Sequence, residues 1–439
     1  MLDTFRNAFK IKDIRNRILY TLAMLVVIRI GSQLPLPGVK SDIIANWFAS
    51  QGADALNFFD AITGGSFEQM SVFALNITPY ITSSIIMQLL TIAIPKLEEM
   101  QKDGEDGRKK IAEITRYVTI ALALIQSIAM AIGFGRSGYL ETFNALSVIM
   151  IVTSLTAGSA VLMWIGERIT EKGVGNGISI VLTINIISRM PDDLMSLYTQ
   201  FIANASNVGN AIIAVVIIAA VILITVVFVI FLQDGQRRIP VQYSKKMQGR
   251  KQVGGQSTHI PLKVNTAGVI PIIFAQSIMQ FPVVIATILG KGNGTGIGSK
   301  ILHGLSQSYW CNPQAPIYTI GLLVYVVLVI AFAYFYTSIT FNPLEIANNM
   351  KRQGGFIPGI RPGKPTSDYL SKILNYIVFI GAVGLTIVAV IPIFFNGVFG
   401  ANVSFGGTSI IIIVGVVIET LKQIESQMLV RYYKGFLND

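Results

Sequence analysis

The amino-acid sequence predicts an all-α polytopic membrane protein of ten transmembrane helices, arranged as two inverted five-helix halves around a central pore with a re-entrant plug helix. Three observations predict it. The first is composition: of 439 residues, 52% are hydrophobic and only 13% charged, whereas a soluble domain carries about 25% charged residues. The second is segmentation into ten apolar runs that read as helices, since a membrane β-barrel would instead show short segments of alternating polarity. The third is the sorting of positive charge. Of the 34 Lys and Arg residues, 28 fall in the N-terminal segment, the even-numbered connections and the tail, five fall on the other side, and Arg29 lies inside the first run. The positive-inside rule then places both termini in the cytoplasm.

In order, the runs span residues 18–36, 71–94, 117–134, 145–165, 178–190, 211–232, 267–289, 317–339, 373–395 and 408–421. The fifth and tenth are short and are expected to extend into flanking polar turns. Residues 1–17 are basic and amphipathic, and the first run is long enough to span, so a cytoplasmic tail is expected there and not a cleaved leader. Five runs, an outside connection over residues 191–210, and five more runs put residues 1–190 and 211–439 in opposite membrane orientation. Inverted halves of this kind commonly enclose a path at their interface. No strong identity between the halves is visible, so the inverted repeat is inferred from topology.

One stretch does not span. Residues 56–62 form an apolar piece of about seven residues, where about 20 are needed to cross a bilayer. It ends at Gly64-Gly65, and a longer apolar segment carrying Pro79 begins near Ser71. A half-length apolar element hinged by paired glycines can lie at membrane depth only within protein or facing a water-filled cavity. A plug over residues 56–67, with Phe58, Phe59, Ile62, Gly64 and Gly65 in it, fits that requirement.

Little in the chain supports catalysis. His259 and His303 are predicted on opposite membrane faces and cannot share a metal, and neither a Ser-His-Asp set nor HExxH is present. Gly173-Val174-Gly175-Asn176-Gly177 follows a membrane helix and not a strand, which argues against a dinucleotide fingerprint. No cofactor or metal is expected. Cys311 is the single cysteine, so no internal disulfide can form. Proton- or ion-coupled transporters place ionisable groups at mid-membrane, but here Arg29 is the one charge deep in a run. It either makes a structural pair with a neighbouring group or helix carbonyls, or contacts a substrate. A secondary transporter for a small solute is the alternative to a pore, and these nearly charge-free runs speak against it.

Polar and apolar residues within the runs supply candidates for a passage. Ile77 and Ile81 are four apart on one helical face and bracket Pro79. Gln88, Gln126, Gln276 and Gln280 sit in separate runs, either as interhelical hydrogen-bonding groups or as a polar seam between helices that can part. The long cytoplasmic loops, residues 233–266 and 341–372, are rich in Lys, Arg, Gly and Pro. Residues 236–243 alternate like a strand, and residues 260–264 are expected to return beside them. That hairpin would present Gly249-Arg250-Lys251 at its tip, a basic probe suited to RNA phosphates or an acidic protein surface.

Several separated stretches, in order, carry a family resemblance. They are Arg29-Ile30-Gly31-Ser32 with Pro35-Leu36-Pro37-Gly38, Phe73-Ala74-Leu75 with Thr78-Pro79-Tyr80-Ile81, and Met163-Trp164-Ile165-Gly166-Glu167 with Gly175-Asn176-Gly177-Ile178-Ser179. Further along come Gly235-Gln236-Arg237-Arg238-Ile239, residues 256–265, Phe341-Asn342-Pro343, residues 358–363 and Phe405-Gly406-Gly407-Thr408-Ser409. With these the chain resembles the bacterial SecY family over nearly its whole length. The resemblance implies a protein-conducting channel of the bacterial plasma membrane that passes unfolded secretory polypeptides across and releases hydrophobic segments sideways into lipid.

By position it implies a pore ring of Ile77, Ile81, Leu182, Ile273 and Ile412, with Leu182 in place of the usual isoleucine. It implies a lateral gate with Gln88, Gln126, Gln276 and Ser277 near its seam, and docking surfaces at Arg250, Lys251 and Arg361. The implied partners are SecE, SecG, the SecA motor ATPase, the ribosome, and client polypeptides bearing signal sequences. A wide passage sealed by dewetted aliphatic side chains excludes hydrated ions yet yields to a polypeptide. Such a seal gains nothing from charge.

Overall fold

In a computed structural model of the chain, the described residues are 9–40, 63–136, 138–203, 208–243, 246–248, 251–253, 257–288, 297–311, 313, 315–399 and 407–435. Among them the chain is mostly helical. The N-terminal half contributes α1 (Lys12–Ser32), α2 (Thr78–Ala93), α3 (Pro95–Lys102), α4 (Glu105–Arg136), α5 (Ala145–Lys172) and α6 (Gly177–Leu197). The C-terminal half contributes α7 (Val208–Asp234), strands β1 (Gln236–Tyr243), β2 (Lys246–Gln248), β3 (Lys251–Val253) and β4 (Ser257–Lys263), then α8 (Ile270–Ile288) and α9 (Ile297–Leu305). It continues with α10 (Ile320–Thr340), α11 (Pro343–Arg352), β5 (Gly355–Phe356), α12 (Lys364–Phe399) and α13 (Gly407–Gly435).

Among the described residues, α4, α5, α7, the stretch built on α10 and α12 are long and apolar enough to cross a membrane by length and composition. The α2–α3 pair, bent by 107°, passes the same test when taken together. α7 shows what the surroundings must be. It exposes Ile212, Ile213, Val216, Leu223, Ile224 and Phe231, and a helix that greasy on its outer faces is stable only against lipid or another apolar surface.

Two sequence expectations are corrected. The second apolar run is not one helix from Ser71: residues 72–77 are turns, and α2 starts at Thr78. Pro79 therefore lies in the first turn of α2 and not inside the helix, where its missing N–H costs nothing. Asn76 takes a positive φ of 50° and its Oδ1 accepts a hydrogen bond from Ile77 N at 2.8 Å, closing the chain just before the helix. The second correction concerns the connection after the fifth run. α6 continues through Pro191 to Leu197, and a π-helical turn follows over Tyr198–Ala203. Much of the expected polar loop is thus helical.

Within each half, small and hydroxylated residues let helices approach. Ser83 on α2 hydrogen-bonds Thr115 O at 2.9 Å and Thr119 Oγ1 at 2.7 Å on α4. On the α4–α5 contact, Ser127 meets Thr156 at 3.1 Å, and Arg116 Nε donates to Glu167 Oε1 at 2.7 Å. Val229, Ile272, Trp310, Tyr325, Val329, Leu385, Val388 and Ile411 form the main core of the C-terminal half. The halves meet where α6 packs on α13 and where α4 packs on α8.

The expected hairpin is present. β1 pairs antiparallel with β4, Gln236 opposite Lys263 and Gln242 opposite Ser257. Val264 N donates to Gly235 O at 2.8 Å, so Pro240 and Pro261 fall in the alternate register positions, whose N–H groups are not used in this ladder. No residue pattern announced β5, which adds to the other edge of β1 at Gln242 and Tyr243. Ile239, Val241 and Leu262 of the hairpin pack with Met350, Ile357, Leu370 and Ile373, so the two long polar loops share one core.

Candidate functional site

The site is built where α6 and α13 cross. Asn176 starts α6: its side chain accepts from Ile178 N and Ser179 N at 3.1 and 3.4 Å. A Cβ on Gly177 would lie 1.9 Å from Gly166 O, so only glycine allows this tight return from α5. Residues 173–177 are thus a helix-to-helix connection, as their position after a membrane helix indicated.

From that start, Leu182 and Ile186 fall on one face of α6 and bury against Ile412 of α13. Ile81, Val269, Ile413 and Val416 close around them. Three of the five predicted ring residues, Ile81, Leu182 and Ile412, thereby share one aliphatic cluster. The contributing elements are α2, α6, α13 and the segment leading into α8. Ile77 is fully buried in the adjoining cluster with Phe73, Leu162, Ile165 and Val181, and Ile81 packs against both clusters. Ile77 is the residue that caps α2, and its carbonyl accepts from Ile81 N at 3.0 Å, so the expected one-turn offset holds. Ile273 is half-buried and sits one turn beyond Val269, to whose carbonyl its N–H donates at 3.2 Å.

Ile186, Val269 and Ile413 were not anticipated as members. For Ile186 a signal existed, its i+4 offset from Leu182. For Val269 and Ile413 none did, because their membership depends on how two sequence-distant segments meet.

The four gate candidates are placed unequally. Gln126 on α4 is half-buried and Gln276 on α8 is 3% exposed, on the two helices through which the halves touch. Gln276 Oε1 has no hydrogen-bond partner among the described residues. Gln88 and Ser277 are exposed. None of the four hydrogen-bonds another among the described residues. Arg29 Nη1 is buried and likewise without a hydrogen-bond partner there, so the structural pairing expected for it is not seen.

Of the plug candidates, Phe58, Phe59 and Ile62 lie outside the described residues. Gly64 and Gly65 are described, with φ of +67° and +81°, and they form the turn that their pairing predicted. Arg250 lies outside the described residues as well. Lys251 opens β3 opposite Gln248, with its side chain outside the description. Arg361 is exposed on the turn between β5 and α12, and its carbonyl accepts from Thr366 Oγ1 at 2.9 Å.

Comparison with known proteins follows the same lines. The family profile described as SecY matches residues 71–421. The protein translocase subunit SecY of Halalkalibacterium halodurans is 43% identical over 443 residues, covering 100% of each chain. That of Bacillus subtilis (strain 168) is 42% identical over 446 residues, again covering 100% of each. Among solved structures, one titled as the structure of a protein conducting channel aligns with a TM-score of 0.66 at 18% identity, over 94% of this chain and 92% of that one. Sec61 in the canine ribosome-channel complex aligns with a TM-score of 0.64 at 17% identity, with the same coverage. At those identities the structures speak for the fold, and the sequence relatives speak for descent. On both grounds, this chain belongs to the SecY family.

Proposed function

We propose that this chain is the channel subunit through which unfolded secretory polypeptides cross the plasma membrane of a bacterium and hydrophobic segments leave into lipid. The observation that carries the reading is the aliphatic cluster of Ile81, Leu182, Ile186 and Ile412, assembled from both halves of the chain. Branched aliphatic side chains at a constriction repel water and so raise a barrier to hydrated ions. They form no directional bond that a passing polypeptide would have to break. The relatives named as translocase subunits and the channel folds support the same reading.

In this reading the chain makes ten spans with both termini in the cytoplasm. Ile77 and Ile273 complete the ring, residues 56–67 plug the outer funnel, and the α2–α4 pair parts from α8 and α10 at a lateral gate carrying Gln88, Gln126, Gln276 and Ser277. SecE clamps the two halves, SecG is a further partner, and the SecA motor or a ribosome docks on Arg250, Lys251 and Arg361 and supplies the driving force. One solved relative in fold is Sec61 in a ribosome-channel complex, which supports a ribosome as a partner.

The test is conductance. The full-length chain, purified with its co-purifying subunits and placed in planar bilayers, should be nearly silent at rest. Ile81→Gly with Ile273→Gly should raise resting ion current, and unchanged current would remove both from the constriction.

A further inference from the structure

Outside the waist, an ion pair fixes a short segment against α6. Arg189 Nη1 on α6 meets Glu68 Oε2 at 2.6 Å, with the two side chains 22% and 32% exposed. Arg189 is one of five positive residues on the side of the membrane where the rest of the chain avoids them, so its placement runs against the charge bias of the topology. Glu68 belongs to residues 63–70, a segment that begins within the expected plug, at its residues 63–67, and continues past its end.

That segment is held at both ends. At its C-terminal end, Leu36 N donates to Met70 O at 2.9 Å and Val72 N to Leu34 O at 3.0 Å, which ties it to the chain leaving α1. At its N-terminal end it lies on α6. A Cβ at Gly64 would come within 2.7 Å of Asn185 O and 2.9 Å of Ser188 Oγ, and one at Gly65 within 3.3 Å of Arg189 Nη1. The glycine turn therefore seats directly on the helix backbone, and the ion pair closes over it. Thr63 and Ser66 are each 2% exposed in that contact.

The positions on α6 are what give the pair its meaning. Leu182, Asn185, Ile186 and Arg189 are spaced i, i+3, i+4 and i+7, a single helical face. Leu182 and Ile186 are in the waist cluster; Asn185, between them, contacts the segment through its backbone, and Arg189 holds it about one turn beyond Ile186. A displacement of residues 63–70 from α6 therefore unloads the same face that seals the waist.

We propose that the Glu68–Arg189 ion pair is a latch that seats residues 63–70 on the outer end of α6 and thereby sets the resting seal. The proposal deepens the channel reading and rests on it. Glu68 and Arg189 are positioning residues: they act through α6 on the waist and touch no translocating chain in the resting state.

The test is a double-mutant cycle read as resting conductance of the full-length channel in planar bilayers. Glu68→Gln and Arg189→Gln should each raise the open fraction about tenfold, equivalent to about 1.4 kcal/mol. The combined variant should leak no more than either single one, because the second change has no pair left to break. A product of the two single effects in the double variant would show independent roles and overturn the latch, as would wild-type conductance in both single variants. Should Glu68→Gln fail to fold, Glu68→Asp keeps the charge and shortens the reach. It should leak between wild type and Arg189→Gln, and wild-type conductance in both Glu68→Asp and Arg189→Gln would overturn the proposal. If Ile412→Ala leaks and the latch variants do not, the latch alone fails. If none of them leaks, the channel reading itself fails.

Discussion

Two neighbouring isoleucines on α13 offer a sharp test of the waist. Ile411 is fully buried in the core of the C-terminal half, with Val229, Tyr325 and Val388. Ile412 is 6% exposed and turns the other way, into the cluster with Leu182 and Ile186. Truncating a buried isoleucine to alanine costs about 2–5 kcal/mol, through lost transfer energy and the cavity left behind. Ile411→Ala and Ile412→Ala should therefore both lower the unfolding temperature, Ile411→Ala at least as much, since its side chain is the more completely enclosed. Ion leak should separate them. Ile412→Ala opens space at the seal and Ile412→Ser adds a hydroxyl that holds water there, so conductance should rise from wild type to alanine to serine. Ile411→Ala should leak no more than wild type despite its loss of stability. Planar-bilayer conductance and thermal unfolding in detergent, read on the same preparations, check both quantities. Equal leak from the two alanine variants would mean that leak reports general loosening, and the argument for a localised waist would be refuted.

Four further outcomes are expected. Deleting residues 58–64 should leave a channel that still translocates clients but leaks at rest, and a tight resting state in that deletion would dismiss the plug. Arg361→Glu, at an exposed position, should weaken ribosome or motor binding and lower the slope of log affinity against log salt by about 1, as expected for one lost phosphate contact; sedimentation binding across a salt series measures it. Gly177→Ala places a methyl group 1.9 Å from Gly166 O, a backbone atom, and should destabilise the chain by about 1–3 kcal/mol as overpacking does. Asn176→Ala, which removes a helix cap, should cost about 1 kcal/mol, and thermal unfolding of both variants orders the two effects.

Much of the architecture was legible in the residues, for reasons that can be named. Lipid admits few solutions for a backbone, so a long apolar run without charges reads directly as a helix. The strand at Gln236–Tyr243 showed itself through alternation, and Ile239 and Val241 are buried as that alternation requires. Boundaries were less legible. Pro79 read as lying inside a helix because the run stays apolar from Ser71, and hydropathy does not register that Asn76 turns the chain with a positive φ. Pro191 read as a helix end, yet α6 carries it internally. Ile77, Ile81, Leu182, Ile273 and Ile412 could not be told from other aliphatic residues by pattern alone, and family resemblance had to select them.

The chain's own order of residues determined that it is a membrane protein of apolar helices, where its positive charge gathers, and that Arg29 is the one charge deep in its apolar runs. Those are properties of local composition, additive along the chain, and they survive without knowledge of any long-range contact. The tertiary structure alone decided that Leu182 and Ile186 face Ile412, that β5 joins β1 to bind two long polar loops into one core, and that Glu68 reaches Arg189. Each of these joins residues more than a hundred positions apart. Such a meeting depends on how rigid helices pack, which no periodicity of a single segment encodes.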